Sequence, residues 1–197
     1  FCAAHQGTKR DAFTGEEPGK LPHEIPGFIK TIDNEEYSTA FNAGDTTPAF
    51  LIGLGRYHAL AGDASFIIGH RDAARNALGY LLSHLDGRCV FWDDPAKAGA
   101  RRYAQRATYW KDTAVAGREG DMPSYPVAYS MTQAMAVAAL RSAEELAGLL
   151  DVPGEELGRT AERACASLWE LFWDERIGTL AVGIDRQGFI PGLSSDG

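Results

Sequence analysis

Residues 43–63, AGDTTPAFLIGLGRYHALAGD, hold the start, body and stop of one helix. Asp45 or Thr46 can cap it, because a short polar side chain accepts from the orphan N–H groups of the first turn. Pro48 suits that turn, where a missing N–H costs nothing. The body is apolar on nearly every side until Gly62-Asp63 ends it, and a helix without a wet face is a buried one. From Ala64 to about Leu85 the rhythm changes. Ala74, Leu78, Leu81, Leu82 and Leu85 recur at spacings of three and four, with Arg71, Arg75 and His84 at other positions. That spacing predicts a single amphipathic helix lying on the outside.

The order then repeats. From Pro126 the segment VAYSMTQAMAVAAL is again apolar nearly all round, and Arg141, Glu144 and Glu145 appear only near its end. After the DVPGEE turn, Leu157, Ala161, Ala164, Cys165, Leu168 and Leu171 make a stripe, with Glu162, Arg163 and Glu170 toward water. Buried, amphipathic, buried, amphipathic is the alternation that a two-layered ring of helical hairpins requires. Strand signals are short, RCVFW at 88–92 and GTLAVGID at 178–185. The expectation is an all-α fold with small β additions.

Composition narrows the function. The chain has 197 residues, 45% hydrophobic and 23% charged, and a net charge of −8 with no Lys/Arg cluster. This is globular composition, and the acidic balance argues against nucleic acid and against an anionic membrane surface. No apolar run reaches the roughly 18 residues of a membrane span. Cys2, Cys89 and Cys165 are odd in number and far apart, neither a disulfide framework nor a zinc pattern, so they read as isolated reduced thiols of a cytoplasmic protein. The start at Phe1 and the turn-like end SSDG suggest an internal piece of a longer polypeptide.

Two long polar segments, 1–45 and 93–125, each lead into a buried helix. Connections of that length are usually functional or disordered, and Tyr103, Tyr109, Trp110 and Tyr125 favour order. In a ring of hairpins these entry loops meet at one mouth. Asp45 lies in the first, and Asp112, Glu119 and Asp121 in the second. Glycoside hydrolysis needs two carboxyl groups across the scissile bond, one protonated and one ionised, and Trp110 beside Asp112 offers a platform for a sugar face. The residues alone equally permit Asp45 as a plain N-cap and Asp112 as a surface acid.

Other chemistry fails its tests. Gly53 and Gly55 sit inside a helix with no strand before them, which excludes a dinucleotide fingerprint. His23-Glu24 lacks the second His of a zinc protease helix, and Pro26 would break that helix. No GxSxG, P-loop or EF-hand pattern is present, and neither a metal nor a cofactor is expected. His58, His70, Trp169 and Trp173 read as structural.

Four motifs come in a familiar order: QGTKRDAFTGEEPGKLPHE at 6–24, AGDTTPAFLIGLGRYHALAGD at 43–63, YWKDTAVAG at 109–117 and SYPVAYSMTQAMAVAAL at 124–140. With ERIGTLAVGIDRQG and GLSSDG near the end, the chain resembles the glycosidase domain of bacterial glycogen debranching enzyme (amylo-α-1,6-glucosidase) relatives over nearly its whole length. The resemblance implies an (α/α)₆ toroid, present here as a single partial domain over 1–197. The helices before Phe1 and the C-terminal third, with the family's catalytic Glu base, would lie outside this chain. It implies an inverting acid/base hydrolase of α-linked glucosides or oligosaccharides, with Asp112 of the W-K-D motif as general acid. Asp45, before T-x-P, would hydrogen-bond a sugar; His23, Glu24, Trp110 and Tyr125 complete the implied substrate-binding set. The chain departs from the family where Ile25-Pro26 replaces the usual basic residue after H-E, and where Thr113-Ala114-Val115 follow W-K-D in place of small polar residues. Related toroids act on sucrose, trehalose and mannosyl compounds.

The expected partner is therefore a carbohydrate substrate, with another chain or flanking sequence completing the ring over the apolar helices. Asp45 and Asp112 are expected at one mouth. Two other readings stay open, a non-catalytic helical-repeat interaction module and a carbohydrate-binding remnant that has lost hydrolysis.

Overall fold

The computed structural model describes residues 1–25, 29–32, 35–37, 39–99 and 122–193. Among these, six α-helices carry the larger core: α1 (Thr46–Ala61), α2 (Ala64–Gly69), α3 (Arg71–Ser83), α4 (Ser130–Glu145), α5 (Ala147–Leu150) and α6 (Gly154–Phe172). Six strands accompany them. β1 (Lys30–Ile32) and β2 (Glu35–Tyr37) form an antiparallel pair. β3 (Ala128–Tyr129), β4 (Trp173–Asp174), β5 (Thr179–Asp185) and β6 (Gly188–Leu193) form a four-stranded antiparallel sheet around β5.

That sheet corrects the all-α toroid expected from the sequence: the fold is mixed. The physical reason lies at the end of α6, where the chain runs directly into β4 and turns back as β5. Thr179, Val182 and Ile184 are β-branched, and a β-branched side chain packs better on a pleated surface than against a helical turn. β5 pairs with β3 through Ala128↔Ile184 and Tyr129↔Gly183, so the strand that leads into α4 belongs to the same sheet. Val90, Ala128, Leu168 and Phe172 form the small core between sheet and helices.

α4 packs against both α1 and α6. A Cβ at Gly44 would lie 3.5 Å from Thr132, and one at Gly55 would lie 2.7 Å from Ser142. The two contacts advance together along both chains, so α1 and α4 run parallel. α6 runs the other way beside α4: Gln133 at the start of α4 donates to the Ala164 carbonyl at 2.9 Å, whereas Glu144 near its end meets Gly158. Leu51, Leu54, Leu78, Leu81, Leu140, Leu150 and Leu157 fill the space between the helices.

Several local expectations change. The segment from Ala64 to Leu85 is two helices, because His70 leaves helical geometry at φ −113°, ψ 14°. His84 lies just past the second of them and is buried, not set on a wet face. α1 is buried only at Thr47, Pro48, Leu51, Leu54 and Gly55, whereas Leu60 near its end is 88% exposed. α4 likewise leaves Ala134 and Ala138 in water. Glycine and alanine read as apolar in a pattern, yet exposing them costs little, so an unbroken run does not demand burial on all sides.

Residues 88–92 form no strand beyond a single antiparallel bridge, Leu85↔Phe91, across a turn at Gly87 and Arg88. The Asp86 carboxylate accepts from Arg88 N, Val90 N and Trp92 Nε1 at 2.8–2.9 Å, and Cys89 takes φ 60°. Trp169 and Trp173 are 56% and 40% exposed and pack on each other, with ring centroids 6.0 Å apart, as a pair four residues apart can. All three cysteines are free thiols. Among the described residues no helix is long and apolar enough to cross a membrane.

Candidate functional site

Because α1 and α4 run parallel, their N-termini lie at the same end of this helix pair. The segment 6–25 crosses that end. It begins as a tight loop closed by an Asp11↔Glu16 bridge and by Gly7 N to Lys20 O at 2.9 Å. Asp11 accepts from Phe13 N and Thr14 N and so shapes the tip. Gly19 (φ +84°) lies so near α3 that a Cβ there would sit 2.1 Å from the Asn76 carbonyl oxygen. Any other residue would push the loop off the helix. Gln6 pins the same place by donating to the Gly19 and Ala73 carbonyls at 2.9 and 3.0 Å.

The chain then docks on the first turn of α1. Leu21 N donates to Thr47 Oγ1 at 2.8 Å, and Thr46 Oγ1 donates to the Leu21 carbonyl at 3.1 Å. His23 N donates to the Ala40 carbonyl at 2.8 Å, and Glu24 forms a β-bridge with Ala40. These contacts bring His23 and Glu24 beside the 40–45 segment that ends in Asp45. Asp45 occupies the N-cap position, but its side chain makes no capping hydrogen bond there. The plain N-cap alternative therefore does not describe its carboxylate. His23 Nδ1 is buried without a hydrogen-bond partner among the described residues.

Beneath this surface lies a buried cluster of charged and polar groups that sequence reasoning missed. Glu17, Lys20, Tyr80, His84 and Asp93 are each no more than 5% exposed. His84 Nδ1 lies 2.7 Å from the Trp92 carbonyl, and its Nε2 lies 3.1 Å from Glu17 Oε2. A carbonyl only accepts, so Nδ1 carries a proton. One further proton must then lie between Nε2 and the Glu17 carboxyl. Lys20 Nζ donates to the Gly15 carbonyl at 3.2 Å and stands 3.8 Å from Glu17 Oε1, an ion pair too long for a hydrogen bond. Burial pushes the Lys20 pKa down, the Asp93 and Glu17 carboxylates pull it back, and the net direction is down. Burial, together with the same two carboxylates, holds the Tyr80 phenol well above its ordinary value.

Asp93 joins this cluster to the sheet, exchanging two backbone hydrogen bonds with Val127 at 2.7 and 3.0 Å. Its Oδ2 would lie 3.6 Å from a Cβ at Gly44. The cluster thus braces the loops 6–25, 40–45 and 84–93 against one another. Its groups are engaged with each other and removed from water, which suits a brace better than an acid or base that must meet substrate. The sequence signal was present in GEEPGK at 15–20, but spacing alone does not distinguish a solvated loop charge from a buried one.

Tyr125 is half-buried, precedes a cis peptide bond to Pro126, and packs with Val127, Tyr129 and Ile190 on the sheet side of this end. Ser124 N donates to Asp185 Oδ2 at 3.0 Å and fixes that approach. Trp110 and Asp112, like Glu119 and Asp121, lie outside the described residues. The structure thus sets His23 and Glu24 against Ala40, in the segment that runs on to Asp45, and sets Tyr125 in the bend that precedes β3. Set against known protein families and against curated proteins, the chain matches none.

Proposed function

We propose that the chain is a glycoside hydrolase acting on α-linked glucosides or oligosaccharides by acid/base hydrolysis with inversion, related to the amylo-α-1,6-glucosidases. The observation that carries this reading is the parallel course of α1 and α4. It directs the loop bearing Asp45 and the segment entering α4 to the same end, the arrangement that a carboxylate pair around a glycosidic bond needs. Asp112 acts as the general acid, protonating the departing glycosidic oxygen. Asp45, its side chain not spent on capping, accepts from a sugar hydroxyl. His23, Glu24, Trp110 and Tyr125 line the same pocket, and the base comes from a glutamate beyond this sequence. Three unpaired thiols suit a reducing, cytoplasmic setting.

The test compares two variants of the complete enzyme on natural and activated aryl glycosides, each checked for folding by circular dichroism. Asp112→Asn removes the proton donor, and general acid help is worth about 10²–10⁴ in rate. The loss should be near that size on natural substrates and smaller on aryl glycosides, whose leaving groups need less protonation. Asp45→Asn should weaken both alike. The opposite pattern reverses the two roles, and full activity in both variants rejects the site.

A further inference from the structure

The segment 6–25 lies as a strap across the start of α1 and the C-terminal half of α3. Gly7 N donates to Lys20 O and Gly19 N to Gly7 O, both at 2.9 Å, and Leu21 N donates to Thr47 Oγ1 at 2.8 Å. Its underside carries charge into the interior. Glu17 and Lys20 are buried against Tyr80 and His84, with Lys20 Nζ 5.7 Å from the Tyr80 ring and the two rings 4.4 Å apart. Asp93 joins them from the segment beyond α3.

A cluster removed from water is stable only when its charges cancel, because an unmatched buried charge costs heavily. Tyr80 contributes no charge near neutral pH, since burial and the two carboxylates hold its phenol well above its ordinary value. Lys20, paired with Glu17, contributes one positive charge, and Asp93 one negative. Glu17 and His84 must then sum to zero. The Nδ1 proton of His84 is fixed on the Trp92 carbonyl, so they do this only while they share one further proton across the 3.1 Å Nε2–Oε2 contact. Without that proton the cluster holds one negative charge that nothing in it matches. Of the other cations on these elements, Arg10 and Arg75 line the open cleft beyond Glu17, and Lys97 is bonded to the Ser83 carbonyl.

We propose that this shared proton latches the strap: while Glu17 and His84 hold it the strap stays docked, and its loss releases the strap together with His23 and Glu24. The latch concerns only the seating of the strap and does not depend on the hydrolase reading. The latched state holds one proton more than the released state, in which an exposed histidine has given it up above about pH 6.5. Rising pH therefore favours release. Lys20 acts in the opposite sense, because burial lowers its pKa and the latched state binds that proton less firmly.

Hydrogen exchange of peptides spanning 6–25 in the full chain, read by mass spectrometry, tests the latch. At pH 7 Glu17→Gln should exchange close to the parent rate, because an amide donates to His84 Nε2 and the cluster stays neutral. Glutamine at 84 still donates to Glu17 but leaves the excess negative charge, so His84→Gln should exchange at least about tenfold faster. Adding Glu17→Gln to it should restore most of the protection, a recovery that loss of the histidine ring does not predict. Between pH 7 and pH 9 the ratio of parent to Glu17→Gln rates, in which intrinsic exchange cancels, should rise by up to about tenfold per pH unit. Rapid exchange in Glu17→Gln, slow exchange in His84→Gln, no recovery in the double variant, or a ratio independent of pH would each overturn the proposal. Far-UV circular dichroism checks folding, and if His84→Gln does not fold, the pH series decides alone.

Discussion

Gln133→Leu tests the joint on which the candidate site rests. Gln133 is wholly buried in the first turn of α4. Its Oε1 accepts from Phe91 N at 2.7 Å, and its Nε2 donates to the carbonyls of Cys89 and Ala164 at 3.0 and 2.9 Å. One side chain therefore ties the 86–91 turn to both α4 and α6. Leucine keeps the volume and removes the three bonds. Ala164 lies inside α6 and keeps its own helical hydrogen bond, but Phe91 N–H and the Cys89 carbonyl lose this partner. Each buried backbone group left unpaired costs about 1–3 kcal/mol. Burying leucine in place of an amide offsets part of that, so the net loss should be about 2–4 kcal/mol.

For a chain of this length the loss lowers the Tm by about 5–15 °C, and urea denaturation followed by far-UV circular dichroism measures it directly. Gln133→Glu sharpens the test. A carboxylate would set a second acceptor against two carbonyl oxygens, so this variant should be less stable than Gln133→Leu near neutral pH. It should recover on acidification, when the protonated acid can donate again. A loss below about 1 kcal/mol for the leucine variant would refute the claim that these three bonds hold the joint. So would a glutamate variant that shows no dependence on pH.

Lys20→Met should cost about 3–5 kcal/mol, because it leaves the Glu17 and Asp93 carboxylates buried without their cation; adding Glu17→Gln should restore part of the loss in urea denaturation. Asp174 is held below its ordinary value of 3.8 by hydrogen bonds from the Arg176 side chain, with the Arg176 N–H adding to them. A depressed carboxyl stabilises the fold above its unfolded value, and that contribution disappears as the pH falls through the folded value. Urea midpoints taken from about pH 6 to about pH 2 should therefore fall less steeply in Asp174→Asn, and parallel acid limbs would remove this pair from the account.

Much of the helical framework was legible in the sequence because capping, glycine stops and three-and-four spacing are local. Pro48 sits in the first turn of α1, Gly62 closes that helix in left-handed geometry, and of the α6 stripe Leu157, Ala161, Ala164 and Leu168 are buried, with Cys165 and Leu171 half-buried. The strand at 178–185 was legible for the same reason, being a short β-branched run after a glycine. What spacing cannot carry is the identity of the neighbour. That Ala128–Tyr129 pairs with Ile184 and Gly183, turning an apparently all-α chain into a mixed one, depends on residues more than fifty positions apart. The candidate site divides in the same way. Asp45, His23 and Glu24 stand out as motif residues, whereas the docking of 21–24 on Thr46, Thr47 and Ala40 joins segments whose neighbourhood no spacing shows. Glu17, Lys20, His84 and Asp93 look like ordinary loop and surface charges until the loops close over them. Whether a charge is solvated or buried is decided by what packs above it, and only the tertiary structure supplies that layer.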